Sequence, residues 1–548
     1  MVTGNRYILR QLGEKFRRVN VVAWIFVVAM SLFASCQFES PKGLETLPHD
    51  SLMTDTVPLR PLLRESFPDT MYASAAMMTY VVDTFDKTIS PMLSDYDDLY
   101  ANASGVFMFR GSPSRNPNFS GRLRGDSLSI NVKWVFSTDR DTSHTEYGVW
   151  GGGNGWTGQP LYVNWSDSMM RVFRQHPDSL TNRFNAKEII VASLCGKMYF
   201  IDFESGKPSR QPVDLGNVVK GTPSINPMLN GHVYVGHGVP NNNPFGSLVF
   251  DLFSHSIINT FGSDWRAWRG WGAYDSSPVV VGGFVFRPGE NGTIYKAYVG
   301  DGGYRLHSTM RYSLRGTRHS PGIESSLAVC RNYGYFADND GNVVCINLNT
   351  LKPVWHYGNL DDTDASIVVD VEGATPYVYS GCEVDNQGEQ GVSRFVKLNG
   401  LDGSLVWADT IPCNRVRFTE KNLDGGMFAS PLLGDGDCKG MIFSNFCVNS
   451  DSASGYFMAF DKENGEILYR RKTRSYCWSS PVAFYNARNE MFVFTADIGG
   501  YVYLIKAKTG EIVASKRVGV NFEASPVVAD DYVVIGSRGN KIYKISLE

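Results

Sequence analysis

No two of the nine cysteines are adjacent, and none forms a C-x-x-C pair, so no cysteine-pair motif is present. Several lie inside apolar runs such as "LAVC", "VVCINL" and "SNFCV", where buried thiols are expected. A basic excess is missing as well. Lys and Arg number 52 against 55 Asp and Glu, a formal charge of −3, which argues against a nucleic-acid binder. Long amphipathic helical patterns are scarce, whereas β-branched and aromatic residues and glycine recur along most of the chain, which favours an all-β fold. There is no H-E-x-x-H and no G-x-S-x-G, and the nine histidines are scattered, so no catalytic residue is assigned. "WGGGNGWTG" (150–158) is glycine-rich, yet no lysine-serine pair and no helix follow it. It is expected to be a loop whose backbone packs closely near an axis rather than a phosphate cradle.

What is present begins with a targeting segment. Arg6, Arg10, Lys15, Arg17 and Arg18 precede the apolar run "VNVVAWIFVVAMSLFASC", which ends in Ala34 and Ser35 before Cys36. The Leu-Phe-Ala-Ser-Cys ending resembles a bacterial lipobox, although Phe33 stands where a smaller aliphatic residue is usual. That resemblance implies a signal peptide over 1–35 and lipidation of Cys36. An uncleaved membrane anchor is the alternative, because the run is long enough to span a bilayer. Residues 36–104 do not repeat. Their start is polar and proline-punctuated, as in a tether, and "MYASAAMMTYVVDTFDKTI" is expected to form a short helix.

The rest of the chain repeats a phrase. "GWTGQPLYV", "GTPSINPML", "SSPVVV", "ESSLAV", "ASIVVD", "ASPLLG", "SSPVAF" and "ASPVVA" open eight units, spaced by roughly 40 to 65 residues, the range of β-propeller blades. Proline cannot donate to a ladder and suits the first residue of a strand. Small residues before it suit an innermost strand, where blades converge. Each unit then shows two further strands, a polar turn and a fourth strand. Gly206, Gly403, Gly465 and Gly510 occupy turn positions that call for positive φ. The last unit has only three strands, and "INVKWVFSTD" from Ile130 is a fourth strand without a blade. Pairing the N- and C-terminal strands would close the ring and remove its free edges.

This repeat resembles the pyrroloquinoline-quinone-type (PQQ-like) propeller family, whose mark is D-x-x-T/S-G-x-x-x-W across a turn and outer strand. Trp134, Trp355 and Trp407 match the tryptophan, and Tyr469 replaces it in one unit. The resemblance implies an all-β, eight-bladed β-propeller of four-stranded antiparallel blades over about residues 105–548. Its enzymes hold PQQ on the axis between a tryptophan and a disulfide of adjacent cysteines, with calcium beside a catalytic aspartate. This chain has no such cysteine pair, so neither PQQ nor calcium is expected, and no metal ligand is assigned. The acidic loops "ADNDGNV" and "LLGDGDCKGMIF" fit ordinary turns better than calcium loops.

The candidate binding stretch is "DWRAWRGWGAYDSSP", in which Trp265, Trp268 and Trp271 alternate with Arg266 and Arg269. Tryptophan and arginine are the side chains most enriched at binding hot spots, and inter-blade packing is the competing role for the tryptophans. Among families with this repeat and a lipidated cysteine, the chain is similar to the propeller lipoproteins of the outer-membrane β-barrel assembly machinery. That likeness implies a lipid-anchored scaffold of the bacterial cell envelope, at the outer membrane facing the periplasm, which binds an envelope protein such as a barrel-assembly component. A quinone-dependent dehydrogenase and a surface glycan-binding lipoprotein are the alternatives.

Overall fold

The computed structural model describes residues 72–89, 99–125, 128–143, 145–155, 158–173, 175, 185–314, 320–418, 421–449 and 454–548. The signal-peptide and lipobox expectations, Cys36 included, lie outside the described residues. Each of the eight repeated phrases leads into an innermost strand, and the eight antiparallel sheets form an eight-bladed propeller. Blade 7 shows the plan: Val482–Tyr485, Met491–Ala496, Tyr501–Lys506 and Glu511–Arg517 pair in sequence order from the axis outward. Its first three strands are mainly buried, because both faces of the sheet meet neighbouring blades, whereas the outer strand is largely exposed. Near-continuous apolar runs in place of a two-residue alternation follow from that double burial. Crowding at the axis keeps innermost strands short: Ser224–Ile225 and Leu432–Leu433 have two residues each.

The ring closes as expected. Lys541–Leu547, third strand of blade 8, pairs antiparallel with Ile130–Ser137, from Lys541 opposite Ser137 to Leu547 opposite Ile130. The Glu548 amide donates to the Ser129 carbonyl at 2.9 Å, and Lys133 pairs with the Glu548 carboxylate at 2.7 Å.

The short helix expected around residues 71–89 is not formed. Tyr72–Ser74 and Met78–Thr84 are strands, joined by a single 3-10 turn. The first pairs with Pro353–Gly358 of blade 4, and the second with Arg305–Leu314 of blade 3. The run Thr79-Tyr80-Val81-Val82 is β-branched and aromatic, and the outer edges of these blades supply the unpaired backbone groups that such a run can satisfy.

A second departure from the plain repeat lies on the axis. Gly105–Val106 pairs with the innermost strand of blade 1, and Gly121–Arg122 runs parallel to the innermost strand of blade 7. Between them the chain crosses the channel. The carbonyls of Phe107, Pro113 and Ser114 accept from the amides of Ile225, Val329 and Val369, on blades 2, 4 and 5. Phe107, Met108 and Phe109 are buried in this crossing.

Candidate functional site

The repeated Ser-Pro phrase builds a ring of hydrogen bonds around the channel. Amides of Gln159, Thr222, Ser277 and Ser326 donate to the hydroxyls of Thr222, Ser277, Ser326 and Ser366 in the next blade, at 2.8–3.1 Å. Those of Ser430 and Ser480 donate likewise to Ser480 and Ser525, at 3.0 and 3.2 Å, and the Ser525 amide reaches the Gly158 carbonyl at 3.0 Å. Small size alone thus explains only half of the phrase. Its hydroxyl satisfies a backbone N–H that convergence would otherwise bury without a partner.

Inside this ring sit two fully buried arginines from the crossing segment. Arg110 donates to the carbonyls of Pro481 at 2.7 Å and Pro431 at 2.9 Å, on blades 7 and 6. Arg115 donates to the carbonyls of Ser277 at 2.8 Å and Leu327 at 2.9 Å, on blades 3 and 4. The guanidinium fork suits several carbonyls at once.

Two residues before each Ser or Thr of this ring, the chain supplies a side chain to the mouth of the channel. Blades 2 to 5 contribute Lys220, Asp275, Glu324 and Asp364; blades 6 to 8 contribute Phe428, Trp478 and Glu523. Phe428 and Trp478 stack with ring centroids 4.6 Å apart, and Arg538 pairs with Glu523 at 3.1 Å. Glu290, on the second hairpin of blade 3, joins the acidic side. One carboxylate oxygen from each of Asp275, Glu290 and Glu324 lies within 4.8 Å of the other two. Lys220 forms an ion pair with Asp275 and stands 4.0 Å from Glu324. Burial, then Glu324 and Asp275, push the Glu290 carboxyl well above the usual range. Burial and neighbouring carboxylates do the same to Asp364 and Glu383. Lys220 is raised, because those carboxylates outweigh the desolvation that opposes its charge. None of this cluster was singled out from sequence. Its signal is positional, a charged residue two places before the phrase in successive units.

The tryptophan stretch lies on the same face, in the connection from blade 2 to blade 3. Trp265 is 91% exposed and Trp268 41%, whereas Trp271 is half-buried against Tyr147 and Phe245. Arg266 does not face outward. It grips Asp264 through two bonds of 2.8 and 3.0 Å and stacks 4.5 Å from the Phe85 ring. Arg269 turns toward the mouth, against Gly322 and within electrostatic reach of Glu324. The structure therefore divides the five expected binding residues into two exposed tryptophans and three members of the supporting frame. Other exposed apolar side chains on connections of this face are Tyr147, Val149, Leu360 and Val520.

The acidic loops and the glycine-rich loop are held by contacts of their own. Asp338 accepts from the amides of Asp340 and Asn342 and from the Tyr312 hydroxyl, and Asp437 accepts from the Met491 amide. The glycine-rich loop packs closely, since a Cβ on Gly153 would collide with the Ser537 carbonyl. All eight described cysteines are free, seven of them buried.

Residues 453–548 match the family model PQQ_2, described as "Outer membrane protein assembly factor BamB". The chain carries a PQQ-like propeller repeat. Among curated proteins, the human beta-alanine-activating enzyme is 29% identical over 85 residues, which is 15% of this chain and 8% of that enzyme. Similar solved structures include BamB from Moraxella catarrhalis, with 14% identity, TM-score 0.44, and 67% of this chain and 96% of that one covered. A europium-containing methanol dehydrogenase has 11% identity and TM-score 0.42, over 82% of this chain and 99% of that one.

Proposed function

We propose that this protein is a non-catalytic, lipid-anchored scaffold of the bacterial cell envelope that binds protein partners during outer-membrane protein assembly. The observation that carries the proposal is the 91% exposed Trp265, presented on a loop whose backbone is pinned from below. Arg311 donates to the Arg266 carbonyl at 2.7 Å and pairs with Asp83 at 2.5 Å, so the loop is tied to the outermost strand of blade 3. A large aromatic held rigidly in water loses little conformational freedom when a partner covers it. Beside it, Met78–Thr84 has no strand on its outer side among the described residues, which leaves an edge open to β-augmentation. The match of the C-terminal repeats to a barrel-assembly family model supports the choice of partner class.

The test is a pull-down of the full lipidated protein from cross-linked native membranes, alongside a Trp265→Ala/Trp268→Ala variant. Recovery of barrel-assembly components by the wild type and their loss from the variant are expected, at an unchanged melting temperature. Equal recovery by both proteins would remove these tryptophans from the contact, and recovery of no protein partner would overturn the scaffold reading.

A further inference from the structure

The loop that carries Trp265 has two supports of different origin. One belongs to blade 3 itself. The Tyr295 hydroxyl, on the third strand, donates to Asp264 at 3.0 Å. Asp264 also accepts from the Arg266 amide at 3.0 Å and from the Arg266 guanidinium. The Ala267 amide closes the turn onto the Asp264 carbonyl at 3.0 Å.

The other support is lent by a segment distant in sequence. Arg311 reaches the Arg266 carbonyl from the fourth strand of blade 3, with a side chain only 12% exposed. Its guanidinium also lies 5.9 Å from the ring of Trp268, the second exposed tryptophan. Asp83, on the added strand Met78–Thr84, supplies the carboxylate that pairs with it. Two residues on, Phe85 receives the Arg266 guanidinium over its ring at 4.5 Å. Phe85 is itself fixed, since its amide donates to the His307 carbonyl at 2.8 Å. The N-terminal strand therefore meets the tryptophan loop through both of its arginine contacts. A guanidinium deprived of its carboxylate keeps its stem but loses the direction that a charge-assisted bond imposes.

We infer that Asp83 and Phe85 are positioning residues for the tryptophan loop, so that docking of Met78–Thr84 on blade 3 and capture of a partner by Trp265 and Trp268 are coupled. The coupling to capture rests on the scaffold reading, whereas the bracing of the loop stands without it. Neither residue has to touch the partner. Such coupling is reciprocal: a partner that holds the tryptophans in the braced arrangement also holds the strand on its blade. The N-terminal segment is then a working part of the binding site as well as the end of a tether.

The brace is read by deuterium exchange in full-length protein at the Arg266 and Ala267 amides, with Lys541–Leu547 as the reference for global stability. Asp83→Asn removes the charge and keeps the shape. It should speed exchange in the loop by about fivefold or more and leave the reference strand unchanged. Phe85→Leu should act in the same direction. Asp83→Glu, which restores the carboxylate, and Thr84→Ala, on the same strand but opposite Ser308, should exchange as the wild type does. In the cross-linked membrane pull-down, Asp83→Asn should recover about fivefold less of the barrel-assembly components than the wild type. A wild-type exchange rate in the Asp83→Asn loop would overturn the inference whatever the pull-down shows. Equal acceleration in the reference strand would do the same, because it marks a general loss of stability. Undiminished recovery by Asp83→Asn despite a loosened loop would overturn the coupling. If the wild type too recovers no partner, the scaffold reading fails, and the exchange rates still decide the brace.

Discussion

The indole of Trp407, on the outer strand of blade 5, lies directly over Gly465 in the last turn of blade 6. A Cβ on Gly465 would stand 2.7 Å from the indole Cδ2, and the indole N–H donates to the Lys462 carbonyl at 3.1 Å. The arrangement recurs. Trp134 covers Gly206 and donates to Phe203, Trp355 covers Gly403 and donates to Gly400, and the Tyr469 hydroxyl donates to Ala507 beside Gly510. The glycine and the aromatic residue of the repeat motif are therefore partners across successive blades rather than within one.

Gly465→Ala meets two penalties, a left-handed backbone at φ +80° and a collision with the indole. A loss of about 2–3 kcal/mol is expected, measured by denaturant unfolding. Combining it with Trp407→Phe, which shrinks the ring, should cost less than the two single changes summed. Strict additivity would show that the two residues do not act together.

Arg110→Met keeps an apolar stem but strips the Pro431 and Pro481 carbonyls of their donor. The expected cost is about 3 kcal/mol or more, seen as a lower melting temperature, because each buried carbonyl loses its partner at about 1–3 kcal/mol. Arg110→Lys should recover only part of it, since one ammonium cannot copy the fork between two blades. A wild-type melting temperature in Arg110→Met would show that the crossing segment does not hold the ring.

His237 is buried, and its Nδ1 accepts from the Gly246 amide at 3.3 Å. Burial lowers its pKa to about 4, opposed in part by a hydrogen bond to the Leu215 backbone and helped to a smaller degree by the positive charge of Arg287. The folded value lies below the ordinary value of about 6.5, so the unfolded chain takes up the proton first as pH falls. Stability from this group is complete above pH 6.5 and declines between about 6.5 and 4, by up to about 3 kcal/mol. His237→Asn, which keeps an acceptor for Gly246, should flatten that decline. An identical pH slope in the variant would rule out this histidine as the source.

At the seam, amides of Lys541–Leu547 should exchange with deuterium within about tenfold of those in Tyr501–Lys506, the corresponding strand of blade 7. Exchange as fast as in an edge strand would mean that Ile130–Ser137 leaves the ring in solution.

The blades were legible because their signals are local: the Ser-Pro phrase, the turn glycines and the outer aromatic residue recur at fixed offsets. The unfinished last unit even revealed which distant strand completes it. What escaped notice depends on neighbours far apart in sequence. Met78–Thr84 reads as part of a helix when only its own residues are weighed, and becomes a strand because blade 3 offers an edge. Arg110 and Arg115 look like surface charges until the axis surrounds them. Asp275, Glu290 and Glu324 belong to three different stretches, and only the convergence of the blades makes them one cluster.

The crossing segment also bears on the order of assembly. Gly105–Arg122 and the seam strand Ile130–Ser137 both precede the first complete blade, whereas the strand that locks the ring ends at Leu547. A chain emerging from the ribosome therefore makes its axle before its wheel. Blades 2 to 7 meet Phe107, Arg110, Pro113, Ser114 and Arg115 one after another, so the axle gives each new blade a fixed partner while the circle is still open. Severing that axle should harm the yield of folded protein more than the stability of rings already closed.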